Sequence, residues 1–411
     1  MLAFGPWDRI RDFAAPFLDS CAIDSLIRCS LSACLLPLFV VSTFAQNVLP
    51  PSWQQEVLTS AFAPNRSFPQ IGNGYLWSFR PKLTEADHND AIYLNLLKRD
   101  QPAVIQFWID GMSDVWINDV AISPGHSIFV AGSYFRFADG SENHFLAQLD
   151  LTGQTLQVTN LGQYEAEEIC AANDGTVWTF GQDWNAELRN DSYSMLRDYS
   201  PDGQLLRSYM PRQDVPLSAV DLSGRFHQAG LRRGRTFLRC GEESVGAYVG
   251  LARMWFEVSL ADGDAKSWSA SGQTPAAFTE HEANQARPAR SLNRMSISGF
   301  ALLGEHEIYA SIRGLDKSEL GVAEGLFRLN LGSDARARWE PVPGARSPGW
   351  TESLARLVGS DGSSLVYLRN ASSSPSGLPF CCTDKYYESN PLLLWSKPVV
   401  AGATQYPSLR Q

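Results

Sequence analysis

Basic side chains are scarce in this chain of 411 residues: 34 lysines and arginines face 44 aspartates and glutamates, for a formal charge of −10. Proteins that bind DNA or RNA neutralise backbone phosphates with such groups, so the balance excludes nucleic acid as an expected partner. Catalytic signatures are missing as well. There is no Gly-x-Ser-x-Gly elbow, no P-loop and no His-Glu-x-x-His, which removes the standard hydrolase, NTPase and zincin readings. No Cys-x-x-Cys occurs, and the histidine nearest Cys381 is His306, so zinc-finger spacing is absent. An Asp-x-Asp-x-Asp-Gly run with a distal glutamate is lacking too, which excludes an EF-hand loop. The six histidines, His88, His126, His144, His227, His281 and His306, are scattered. His126, His144 and His306 sit in polar turns and His227 at a strand position, where framework roles account for them.

What the chain does have is a repeated landmark. Gly74-Tyr75-Leu76-Trp77-Ser78-Phe79 returns as Gly175-Thr176-Val177-Trp178-Thr179-Phe180, with weaker copies between and after. Residues aligned with the tryptophan run Trp77, Phe129, Trp178, His227, Tyr309 and Val366, the first four about 50 residues apart, the period of a four-stranded propeller blade. Gly132, Gly181 and Gly230 recur at 49 and 49. Each copy shares one grammar: two strands around a tight turn, then a second hairpin. In the third copy the turns are Asn173-Asp174-Gly175 and Ser200-Pro201-Asp202-Gly203, whose glycines supply the positive φ that short hairpins need.

The expected fold is therefore all-β, a six-bladed β-propeller of four-stranded antiparallel blades. The blades fall at roughly 66–112, 113–162, 163–213, 214–290, 291–350 and 351–398, with 270–290 as a polar insertion. In the fourth blade, Ser218 to Val220 and Phe226 to Gly230 read as the first two strands. Residues on one side of the first blade or the other side of the last are expected to close the ring, which hides the edges of an open array.

Cys29 to Ala45 is uncharged and mostly apolar, with Arg28 before it and Thr43 and Ala45 at −3 and −1 of a cut. This reads as a secretory signal peptide within a leader of residues 1–45, and it predicts a secreted or periplasmic protein. At about 17 residues the run is short for spanning a bilayer, and an uncleaved membrane anchor is the alternative. Past the leader remain Cys170, Cys240, Cys381 and Cys382. Four cysteines in an oxidising compartment permit three disulfide connectivities. Pairing Cys170 with Cys240 requires neighbouring strands to bring them close; Cys381 and Cys382 can join each other or separate partners.

The turn glycine followed by apolar and aromatic residues, as in Asp174-Gly175-Thr176-Val177-Trp178, resembles the NHL-like and regulator-type propellers. The resemblance covers most of residues 66–398, through only about eight residues per blade. It implies a fold rather than a chemistry, because such propellers include lactonases, glycan lyases, sensor ectodomains and protein-binding scaffolds. It also implies that the segments leading into the inner strands gather at one mouth of a central channel. Those segments carry Asp110, Asp114, Trp116 and Asp119 in the second blade and Tyr164, Glu165, Glu167 and Glu168 in the third. In the fifth they carry Arg287, Arg290, Asn293 and Arg294, and in the sixth Trp350, Glu352 and Arg356. An acidic arc would then face an arginine arc.

The leading expectation is a non-catalytic, monomeric propeller binding a protein or a polar small-molecule or glycan ligand at that mouth, with Trp116 and Trp350 available for stacking. A second reading is a metal-assisted, lactonase-like hydrolase or lyase whose carboxylates hold calcium or act as acid and base. A third is a structural envelope protein tethered by its leader.

Overall fold

A computed structural model describes residues 53–57, 67, 70–96, 102–112, 114–136, 140–183, 193–215, 236–250, 252, 254–270, 296–304, 307–313, 325–342, 355–362, 364–369 and 392–396. Apart from short 3-10 turns at His88–Asp90 and Arg212–Asp214, the regular structure of the described residues is strand. The chain starts with β1 (Trp53–Val57). Next come β2 (Gln70–Gly72), β3 (Tyr75–Phe79), β4 (Lys82–Leu83), β5 (Ile92–Leu96) and β6 (Pro102–Ile105). Two regular meanders follow, β7 (Asp114–Ile122) to β8 (Ile128–Phe135), β9 (Glu142–Leu149) and β10 (Thr155–Gly162), then β11 (Tyr164–Ala171) to β12 (Val177–Asp183), β13 (Ser194–Tyr199) and β14 (Leu205–Pro211). Next are β15 (Thr236–Cys240), β16 (Ser244–Val249), β17 (Met254–Ser259) and β18 (Ala265–Ala270). The last strands are β19 (Ser296–Leu303), β20 (Glu307–Arg313), β21 (Gly325–Leu331), β22 (Arg336–Pro341), β23 (Ala355–Ser360), β24 (Leu365–Arg369) and β25 (Leu392–Ser396).

Hydrogen bonding joins consecutive strands into antiparallel meanders. The small strand β4 leaves its own meander and pairs with β7. Two meanders, β15 to β18 and β19 to β22, merge into one eight-stranded sheet where β18 runs parallel to β22 through Ser269↔Arg336 and Ala270↔Ala337. The first strands of the meanders lie side by side in chain order: β7 against β11, β11 against β15, β15 against β19, β19 against β23 and β23 against β2. Gln70 and Trp77 of the first meander bond to Asp119 and to the Val120 carbonyl of β7, which completes the circle. This is a propeller-type all-β architecture. Closure is supplied by the N-terminal side: β1 pairs with β25 from Trp53↔Ser396 to Val57↔Leu392 and becomes the outer strand of the last sheet.

Strand register explains the landmark. With the backbone-bonded pair that closes the first turn counted as the first, the third cross-strand pair of each meander is Gln70–Trp77, Ala121–Phe129, Cys170–Trp178, Arg239–Gly246, Ala301–Tyr309 and Gly359–Val366. Trp77, Phe129, Trp178, Tyr309 and Val366 are all buried there, on strands that pack between neighbouring sheets and so are apolar on both faces. The fourth copy departs from expectation. Residues 218–220 and 226–230, His227 included, lie outside the described residues, and the first hairpin of that meander is β15–β16. Its landmark position is Gly246. A Cβ there would sit 2.0 Å from the Trp255 ring of the next strand, so the indole of Trp255 fills the space an aromatic holds elsewhere. The landmark disappears from the sequence because its volume arrives from a different strand.

The 49-residue glycine period also has a cause. In β7 the register slips between Ile117 and Asp119, and in β11 between Ala166 and Glu168. These bulges drive the inner backbone toward its partner. A Cβ on Gly132 would lie 1.9 Å from the Trp116 carbonyl oxygen, and one on Gly181 1.9 Å from that of Glu165. Gly181→Ala is therefore expected to lower stability by about 1–3 kcal/mol through overpacking. Gly125→Ala, whose nearest atom is the Ser123 hydroxyl at 3.7 Å, serves as the neutral control. Urea denaturation of the two variants checks this, and equal midpoints would refute it.

Candidate functional site

The inner strands enclose a cavity of about 320 Å³. The inner members of the third pairs, Gln70, Ala121, Cys170, Arg239, Ala301 and Gly359, all line it. Its mouth is formed by the first turns, where Asn73, Asn173, Glu242 and Asp361 are exposed. Glycine suits these turns for two reasons. Gly74, Gly304 and Gly362 have φ of 81°, 62° and 87° and face open space; the positive φ needs glycine, and the missing side chain keeps the mouth wide.

Beneath the lining, carboxylates join one meander to the next. Asp119 accepts from Gln70 Nε2 at 2.7 Å, from its neighbour Val120 N–H at 2.9 Å and, through its other oxygen, from Ile169 N–H at 2.9 Å. One buried side chain thus ties β2, β7 and β11. Glu168 repeats the device one blade on, accepting from Leu238 N–H of β15 at 2.8 Å. Arg239 lies 3.9 Å from Glu168 and donates to the carbonyls of Leu238 at 2.6 Å and Phe300 at 3.4 Å. Its guanidinium therefore spans β15 and β19, within 5.7 Å of the Phe237 and Phe300 rings.

Burial dominates the protonation of this group. It pushes Asp119 from 3.8 up to about 6, although its hydrogen bonds and Arg239 pull the other way. It raises Glu168 from 4.5 to about 8, opposed by Arg239 and reinforced by the Asp119 charge. In the same wall, Cys170 and Cys240 form a disulfide with a Cα–Cα distance of 5.6 Å, joining β11 to β15.

The residues expected at the other mouth fall into separate roles. Asp110 is exposed in a turn. Asp114 pairs with Lys82 at 3.6 Å, and the same ammonium lies 5.0 Å from the half-exposed Trp116 ring, so both are engaged with β4. Glu165 is buried and accepts from Asn118 at 3.2 Å; Glu167 is buried and accepts from Gln182 at 2.6 Å. Asp119 and, more weakly, Glu167 lie close enough to Glu168 for their charges to act on it. Arg356 lies in β23, opposite Leu368. Arg287, Arg290, Asn293, Arg294, Trp350, Glu352, Cys381 and Cys382 lie outside the described residues. Among the described residues, no three Asp, Glu, His or Cys side chains gather to hold a metal ion, so the acidic arc does not assemble there into a calcium site. Arg239 and the first-turn mouth were not anticipated. Nothing in the sequence pattern marked Arg239, because its place opposite Gly246 is set by strand pairing in a meander that the repeat placed further upstream.

The raised carboxyls give stability a definite pH dependence. Between the unfolded and folded values the native protein keeps protons that the unfolded chain releases, so stability declines as pH rises from about 4.5 to about 8 for Glu168 and from about 3.8 to about 6 for Asp119. Glu168→Gln keeps an acceptor for Leu238 N–H and removes the titration. Denaturation midpoints against pH should flatten above pH 6 in this variant; an unchanged slope would show that Glu168 is ionised in the native state.

No protein-family model matches the sequence. No curated protein matches it either. Among solved structures it is similar to a luciferin-regenerating enzyme, with 7% identity over 84% of this chain and 96% of that one at a TM-score of 0.41. It is also similar to a calcium-binding protein, regucalcin, from Agrobacterium tumefaciens, with 11% identity over 84% and 93% at 0.38. A glucose dehydrogenase gives 12% identity over 84% and 99%, also at 0.38. The architecture of the present chain rests on its own strand pairing, and no activity of these proteins is carried over to it.

Proposed function

We propose that the chain is an exported, monomeric six-bladed propeller that binds a small neutral, hydroxyl-rich ligand in the channel cavity without transforming it. The observation that carries this reading is the cavity itself, to which all the inner strands contribute and whose mouth bears amides and carboxylates. Pockets of about 300 Å³ and above suit small molecules, and a few polar groups set their orientation. Charge narrows the class. Glu242 and Asp361 at the mouth disfavour anions, and the guanidinium of Arg239 is already engaged by two carbonyls and Glu168. Asn173 and Glu242 offer hydrogen-bond partners for hydroxyls. The disulfide supports an oxidising compartment, and closure of the ring by its own β1 supports a single copy.

Titration calorimetry with neutral mono- and disaccharides tests the binding role. At least one is expected to bind, and the double variant Asn173→Ala, Glu242→Gln should weaken it about tenfold, the cost of roughly one or two lost hydrogen bonds. Absence of binding across the panel, or binding indifferent to both substitutions, would remove the cavity from consideration. For export, sequencing the N-terminus of the protein recovered outside the cytoplasm should give a start near Gln46. A start at Met1 would favour the retained anchor.

A further inference from the structure

The cavity wall carries a group that ligand binding does not require. Cys170 and Cys240 both line the cavity and are partly exposed within it. Their disulfide bridges two inner strands that are fastened a second time, two residues earlier on each, by Glu168 and the Leu238 N–H. Packing adds a third fastening, since Leu238, Val245 and Ala247 share a core with Trp178 and Phe180. Opening the disulfide therefore leaves the seam joined. Exchange at a disulfide needs a thiolate to approach one sulfur, and here the described approach is the mouth ringed by the first turns.

We propose that the Cys170–Cys240 disulfide is a thiol-exchange site reached through the cavity, open to small-molecule dithiols and closed to protein thiols. A thiolate of the dithiol attacks one cysteine sulfur and forms a mixed disulfide. The bond between the two cysteines breaks, and the other cysteine leaves as a thiolate that takes a proton from water. The second thiol of the reagent, deprotonated, then attacks the mixed disulfide and displaces the remaining cysteine, which is protonated in turn. Two electrons pass from the dithiol to the protein, giving two cysteine thiols and one cyclic disulfide. Arg239, the chain neighbour of Cys240, lines the same cavity, and positive charge near a cysteine favours its thiolate.

The test uses the folded full chain treated with dithiothreitol, and in parallel with thioredoxin kept reduced at the same potential. Samples are alkylated over time, and the peptides containing Cys170 and Cys240 are quantified by mass. Dithiothreitol should reduce the pair with the circular dichroism of the strands unchanged, and thioredoxin should act at least about tenfold more slowly. Equal rates, no reduction by dithiothreitol, or reduction only alongside loss of strand signal would each overturn the proposal. As a second check, Asn173→Trp at the mouth should slow dithiothreitol several-fold in the folded protein and leave the rate in denaturant unchanged. An unchanged folded-state rate would place the approach elsewhere and refute the assigned path. None of these readouts depends on which saccharide, if any, binds.

Discussion

An inner strand of a ring of sheets has one bonded edge and one edge turned toward the channel. Its free N–H and C=O groups need partners, because a buried unpaired peptide group costs as much as a lost hydrogen bond. Here the neighbouring meander provides them. Trp77 and Asn73 donate to the Val120 and Ile122 carbonyls, Asp119 takes the Ile169 N–H, Glu168 takes the Leu238 N–H, Arg239 reaches the Phe300 carbonyl, and the Ser360 hydroxyl reaches that of Leu302. Each cap both satisfies a strand edge and joins two meanders. Charged groups in the channel are consequently part of the framework, and their perturbed protonation follows from that duty.

The same geometry shapes the cavity. Capping side chains sit below, toward the middle of the strands, while the first turns above them are short and rich in glycine. Space remains where caps are absent. Asp119 carries three hydrogen bonds and Arg239 two, so the cavity has a hydrogen-bonded floor beneath a polar lip.

Much of the framework could be read from residues alone, since turn glycines and buried aromatics answer local demands. Asp174-Gly175 and Asp262-Gly263 mark hairpins wherever they stand. The fourth meander resisted because Trp255 lends its volume to Gly246 from the adjacent strand, a substitution that no periodicity records. Acidic residues were harder still. Asp110, Asp114, Asp119, Glu165, Glu167 and Glu168 look alike as letters, yet one is exposed, one meets a lysine, two are buried against amides, and two cap the strand of the next blade. Their destinations depend on bulges in β7 and β11 that turn successive side chains to different sides. The ring-closing end was likewise undetermined, because a five-residue strand fits the last sheet from either terminus.

The pairing of β1 with β25 joins residues near 55 to residues near 394, so the last sheet is completed by strands far apart in sequence. Contacts of such separation carry a large loop-closure entropy and form late. A chain emerging from the ribosome can therefore build its middle meanders one after another while β1 waits for a partner not yet synthesised. A product truncated before β25 leaves β1 without the strand it pairs with.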